Sequence, residues 1–292
     1  MAEDTALPRG ASPYHPAMRL VDSHCHLNAD RFDGDADLVV AAARLAGVER
    51  ILVPGWNVHS SERALGTAAS WPWMDAAVGV HPHDAAKVDA DGWARITEWA
   101  ADERVVAVGE TGLDADRMFS PWEAQLDNLR RNLALALAAG KPAILHCRSR
   151  PGERDAQDAL VGELRRAGFD EAGARDRFDG RPPAVIHSFS GPVDYCATVL
   201  AMGLAVSFSG LVFRAGEEAS ATAVTTVPAS RLLVETDSPF LTPPGGPRGR
   251  NEPAAVAITA RWAAERRGTT GDESGDALVA AYDATFPRSS PR

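Results

Sequence analysis

Val105–Asp114 reads VVAVGETGLD, Ala124–Ala139 reads AQLDNLRRNLALALAA and Pro142–Arg148 reads PAILHCR. The first and third are short apolar runs that end in polar or charged groups. Between them Leu126, Leu129, Leu133 and Leu137 recur at spacings of three and four, the period of a helix with one face on a core. Gly140 stops that helix. Strand, helix, strand in this order implies parallel strands covered by helices.

The alternation repeats outward in both directions. Eight apolar runs stand out: Leu20–Leu27, Val48–Gly55, Met74–Pro82, Val105–Asp114, Pro142–Arg148, Pro183–Ser190, Leu204–Gly210 and Leu232–Pro239. Eight is the number that closes a barrel, and 292 residues suit one α/β domain, a single (β/α)8 TIM barrel of about 250 residues. The barrel is expected over residues 20–287, with 1–19 as a loosely attached N-terminal extension and 288–292 as a frayed tail. A further helix is expected at Ala254–Arg267, opened by Pro253 and closed by Gly268. The Gly-, Asp- and Arg-rich segment Asp170–Pro183 reads as a surface excursion before the sixth strand.

Hydrophobic residues at 45% and charged residues at 24% are ordinary for a globular chain and exclude a disordered one. A net charge of -10 repels polyanions at long range, so a nucleic-acid substrate has to be gripped locally. Lys87 and Lys141 are the only lysines among 30 basic residues, a bias read as compositional. Cys25, Cys147 and Cys196 form no CxxC pair and read as reduced core thiols of a cytoplasmic protein. No apolar run is long enough for a membrane span, and no obligate protein partner is indicated.

In such a barrel the chemistry sits at the carboxyl ends of the strands. Six of the eight histidines fall in these ends: His24, His26, His81, His83, His146 and His187. His24 and His26 are two apart on a strand, so both rings point to one side and Cys25 to the other. His146, His187, Glu110 and Asp237 each close a run that is otherwise apolar, where an unpaired polar group is costly. Any one of them alone has the alternative of a buried side chain bonded to a nearby loop. Together they suit two divalent cations, Zn²⁺, Mn²⁺ or Mg²⁺. Glu110, central in strand order, is the bridging candidate, and Asp237, beside the first strand in a closed barrel, is the candidate general base. His81 is a candidate substrate contact, although Pro82 also fits a plain turn. Arg148 offers a forked donor to phosphate or a salt bridge to a carboxylate; Arg250 and Asn251, in a Gly- and Pro-rich loop, carry the same ambiguity. No GxSxG elbow and no P-loop lysine occurs.

Taken in order, Val21-Asp22-Ser23-His24-Cys25-His26, Gly79-Val80-His81-Pro82, Gly109-Glu110-Thr111-Gly112-Leu113-Asp114, Leu145-His146-Cys147-Arg148, His187-Ser188-Phe189-Ser190-Gly191, Glu235-Thr236-Asp237-Ser238-Pro239 and Arg250-Asn251-Glu252-Pro253 resemble the TatD-type deoxyribonucleases. The resemblance implies an amidohydrolase-like barrel of the metallo-dependent hydrolase type that cleaves phosphodiesters of DNA or RNA, commonly as a 3′ to 5′ exonuclease. It implies one metal among His24, His26, Glu110 and Asp237, and a second among Glu110, His146 and His187. After Gly-Leu-Asp the family commonly has aromatic residues, whereas this chain has Ala115-Asp116-Arg117, so the loss of a base-stacking contact is expected. Where related barrels that hydrolyse phosphotriesters carry a carbamylated lysine, this chain has Glu110. The alternatives are a metal-dependent ester or amide hydrolase, such as an aminoacyl-tRNA deacylase, and a non-catalytic metal-binding barrel.

Overall fold

The computed structural model describes residues 18–170, 176–286 and 288. The expected extension over 1–17, residues 171–175 of the expected excursion and tail residues 289–292 lie outside the described residues. The strands are β1 (Leu20–Asp22), β2 (Val48–Pro54), β3 (Met74–Val78), β4 (Val105–Asp114), β5 (Ala143–Arg148), β6 (Ala184–Ile186), β7 (Ala205–Phe208) and β8 (Leu232–Val234). The α-helices are α1 (Ala36–Leu45), α2 (Val58–Ser70), α3 (Ala90–Trp99), α4 (Trp122–Ala139), α5 (Asp155–Arg166), α6 (Val193–Ala201), α7 (Glu218–Ala223), α8 (Val256–Arg267) and α9 (Gly271–Thr285).

All strands pair in parallel and in sequence order from β1 to β8. The ring closes where Ser23 N donates to Val234 O at 3.0 Å and Cys25 forms a parallel bridge with Ser238. The core is what parallel strands buried on both faces require: Ile51, Leu52, Val53, Ile144, Leu145, Val206 and Leu233 have no solvent exposure. Helix α4 runs one turn ahead of the leucine repeat and ends with Gly140 at φ 63, the left-handed position that suits glycine. Helix α8 begins after a short 3-10 turn at Pro253–Ala255 and ends at Gly268, φ 66.

The apolar runs overshoot the strands at their carboxyl ends, and the cause is local. Asp22 ends β1 by turning its carboxylate to the backbone of His24 and Thr236, at 3.3 and 2.9 Å, and to the Thr236 hydroxyl at 2.6 Å. Ser188 and Asp237 take φ of 46 and 54, which no strand continues. At β6 and β8 these departures from ladder geometry turn the chain out of the strand at the barrel mouth. At the opposite end Asp75 accepts from Arg50, Tyr282 and Arg288. Arg19 reaches Glu49 and Asp276, so Arg19 and Arg288, placed by the sequence in the extension and the tail, are tied to the barrel. Of the excursion, Phe178 is fully buried against Phe169.

Candidate metal centre

Glu110 lies near the middle of the longest strand, 3% exposed, with both carboxylate oxygens turned into the mouth. Each oxygen meets a different set of nitrogens. Oε2 is 3.3 Å from His24 Nε2 and 3.7 Å from His26 Nε2. Oε1 is 2.9 Å from His187 Nε2, 3.2 Å from His146 Nδ1 and 3.1 Å from His81 Nε2.

The first set includes Asp237 Oδ1, 3.7 Å from His24 Nε2 and 3.3 Å from His26 Nε2, and the two imidazole nitrogens are 3.2 Å apart. Four donors around a cation at about 2.1 Å stand about 3.4 Å from one another in a tetrahedron. Five of the six separations among these donors, 3.2 to 3.7 Å, lie near that figure, and the donor set of two imidazoles and two carboxylates is one that borderline divalent cations take. The backbone explains how His24 and His26 converge. Cys25 N bonds Leu52 O and His26 N bonds Ser238 O, at 3.0 and 2.8 Å, so alternation persists past β1 and Cys25 turns into the core.

In the second set, hydrogen bonds behind the rings fix which nitrogens face the mouth. His187 Nδ1 lies 3.1 Å from Glu235 and His146 Nε2 lies 3.3 Å from Asp114. A carboxylate accepts only, so each of these nitrogens carries a proton, and His187 Nε2 and His146 Nδ1, 3.4 Å apart, are the nitrogens turned to Glu110, where a cation would take the place of a proton. A carboxylate backing an imidazole is the usual device for fixing a metal-binding ring. His81 is the opposite case. Its Nδ1 accepts from His83 N at 3.0 Å, so Nε2 carries the proton and donates to Glu110. Although His81, Glu110 and His146 cluster closely, the bonding of His81 makes it a donor rather than a ligand.

The electrostatics agree that this spot favours positive charge. Burial alone raises the Glu110 carboxyl, but His187, His81 and His24 outweigh it and hold it well below the ordinary carboxylate range. Burial opposes charge on His187, yet Glu110 and Glu235 push it well above the usual imidazole value. Burial, aided by His146 and His83 and opposed by Glu110, pulls His81 down to about 4, so His81 is neutral near pH 7, as a donor with a satisfied Nδ1 requires. Asp237 is held below its usual value by His26 and His24 against the effect of burial.

The groups surround a cavity of about 520 Å³. Arg148 lines it, and among the described residues its guanidinium has no ion-pair partner. Arg250 and Asn251, expected as substrate contacts, are not among the residues lining the cavity. Arg250 stacks over Phe32 at 4.4 Å, bonds Asp35 at 2.6 Å and also bonds Arg31 O. Asn251 is fully buried and donates to Thr236 O at 2.9 Å, while its backbone N–H donates to Pro239 O at 3.1 Å. Both brace the loop that carries Asp237, because a Gly- and Pro-rich segment has little packing of its own. Sequence reasoning missed Asp114 and Glu235 as orienting groups. Their signal was a carboxylate closing an apolar strand within the stretches already singled out.

Residues 21–287 match the family described as TatD related DNase. YabD of Bacillus subtilis, an uncharacterized metal-dependent hydrolase, is 34% identical over 254 residues, covering 87% of this chain and 93% of its own. The 3′-5′ ssDNA/RNA exonuclease TatD of Enterobacter lignolyticus is 37% identical over 252 residues, covering 84% and 90%. The crystal structure of YJJV, a TatD homolog from Escherichia coli, superposes with a TM-score of 0.81 at 27% identity over 92% of this chain and 98% of that one.

Proposed function

The chain belongs to the TatD-related DNase family of metal-dependent hydrolases, and from that premise we propose that it is a nuclease removing nucleotides from the 3′ end of single-stranded DNA or RNA, with two divalent cations bridged by Glu110. The observation that carries the bridging is the division of labour on Glu110, one oxygen facing the set with His24, His26 and Asp237 and the other facing His146 and His187. His24 Nε2, His26 Nε2, Glu110 Oε2 and Asp237 Oδ1 would hold one ion, and Glu110 Oε1, His146 Nδ1 and His187 Nε2 the other. Divalent ions at such a site supply Lewis acidity toward water and a phosphoryl oxygen.

The protein's own groups do the rest. Asp237, ionised and 14% exposed at its side chain, faces the cavity and accepts the proton of the attacking water. His81 keeps Glu110 oriented through its Nε2 proton. Arg148 offers a forked donor to a non-bridging phosphate oxygen. Among the described residues no helix is long and apolar enough to cross a membrane; the three cysteines are buried and unpaired, which suits a reducing compartment such as the cytosol.

The test is a metal-loaded preparation given 5′-labelled single-stranded oligonucleotides. Stepwise shortening from the 3′ end, lost in excess chelator and restored by Mg²⁺, Mn²⁺ or Zn²⁺, is the expected result. Undiminished cleavage in excess chelator, or endonucleolytic products alone, overturns the reading.

A further inference from the structure

The metal-facing nitrogens occupy the floor of the cavity, and its rim carries groups that the floor does not need. Phe119, in the loop between β4 and α4, is 63% exposed, and Phe240, in the loop after β8, is 53% exposed. Both line the cavity. β4 and β8 are four places apart in a ring of eight, so the two phenylalanines rise from opposite sides of the mouth. Each leans edge-to-face on a histidine of the site: Phe119 on His83 at 4.7 Å and Phe240 on His26 at 6.1 Å. Single exposed phenylalanines need no explanation, but two across one mouth, both propped by active-site rings, do.

Charge supplies a second observation. Arg117 and Arg148 line the same cavity, and among the described residues neither guanidinium has an ion-pair or hydrogen-bond partner. By contrast Arg50, Arg130 and Arg250 are bound to carboxylates, and Arg31, Arg231 and Arg267 to backbone carbonyls. Unpartnered arginines beside exposed rings match a polymer that alternates phosphates with flat bases. Every base has a π-face, so stacking grips a single strand without regard to sequence. A paired duplex hides those faces.

We propose that Phe119 and Phe240 are the stacking platforms for the two nucleotides joined at the cleaved bond, one ring to each base, and that Arg117 and Arg148 hold the adjacent phosphates. The assignment rests on the nuclease reading above and adds the means of single-strand recognition. It also corrects the expectation drawn from Ala115-Asp116-Arg117. The aromatic contact missing there comes from Phe119, two residues farther along.

Metal-stripped full-length protein tests binding apart from cleavage. Single-stranded DNA carries 2-aminopurine at the 3′-terminal or the penultimate position, and fluorescence is followed to saturation, since this base is quenched when it stacks. Wild-type protein should quench both positions. Phe119→Leu should relieve one and Phe240→Leu the other, each weakening affinity about ten-fold, while Phe119→Trp restores quenching. Arg148→Ala should weaken binding and lower the dependence of log affinity on log salt by about one contact, with quenching at saturation intact. Quenching that persists in both Leu variants, no quenching in wild type, or no binding of single strands overturns the proposal. Cleavage assays on the metal-loaded protein separate the two ideas. Exonuclease activity without quenching sinks the platforms alone, and quenching without cleavage sinks the nuclease reading alone.

Discussion

At the scale of single residues the centre depends on which side of each group faces inward. Asp237 sits at φ 54, a left-handed conformation that aspartate and asparagine both tolerate. Asp237→Asn therefore keeps the backbone and the shape but removes the proton acceptor. The rate should fall by roughly two to four orders of magnitude while the apparent affinity for an oligonucleotide changes little; metal content measured on the same sample keeps loss of an ion from imitating loss of a base. Near-normal turnover at full metal would remove Asp237 from the chemistry. Glu110→Gln is the sharper test of the bridge. An amide offers one oxygen and one N–H₂, so one of the two nitrogen sets would face a donor in place of an acceptor. Metal content should drop below two ions per chain, whereas His81→Ala should keep its ions, because His81 Nε2 bears a proton. Two tightly held ions in Glu110→Gln would refute the bridge.

At the scale of elements, the close approach of β4 and β5 sets the distance between Glu110 and His146. Gly112 pairs with His146 in register and takes φ 137. A Cβ built on it would lie 1.9 Å from His146 O, with His146 C and N at 2.8 Å. Those contacts are backbone and cannot rotate away, and an L side chain is strained at that φ. Gly112→Ala should therefore push the two strands apart, destabilising the fold by about 3 kcal/mol or more and lowering activity in whatever fraction folds. Urea denaturation midpoints check the first effect and metal content the second; a variant with wild-type stability would mean that the strands accommodate the methyl group. The loops act by a different logic. Arg250 and Asn251 hold the segment after β8 and with it the position of Asp237.

At the scale of the whole molecule the metal centre rests on a core that does not need it. The strands bury their Val, Ile and Leu completely, and the barrel closes through backbone bonds such as Ser23 N to Val234 O. Chelation should therefore leave helical circular dichroism and cooperative unfolding intact, unlike a zinc finger, which unfolds without its ion. Restoring metal at one hundred times its dissociation constant should add about 2.7 kcal/mol, seen as a rise in melting temperature. Non-cooperative unfolding of the chelated protein would show that the ions are structural.

The sequence alone determined the barrel and the roster of groups at its mouth. A short apolar run bounded by turn residues, such as Ala143–Leu145 after Gly140-Lys141-Pro142, reads as a buried strand, and a histidine or glutamate that ends such a run has to find a partner. That logic is local, and it reached Glu110, His146, His187 and Asp237 without coordinates. It located helix ends by the same means, because Gly140 and Gly268 act through their own backbone freedom. Tertiary structure decided everything that depends on distance between strands. That Asp114 turns to His146 and Glu235 to His187, that His81 is a donor, that Arg250 is already engaged while Arg148 is not, and that Phe119 and Phe240 line one cavity all follow from ring closure. Closure brings together residues tens to hundreds of positions apart, and a one-dimensional pattern carries no record of which of two carboxylates a given imidazole will meet.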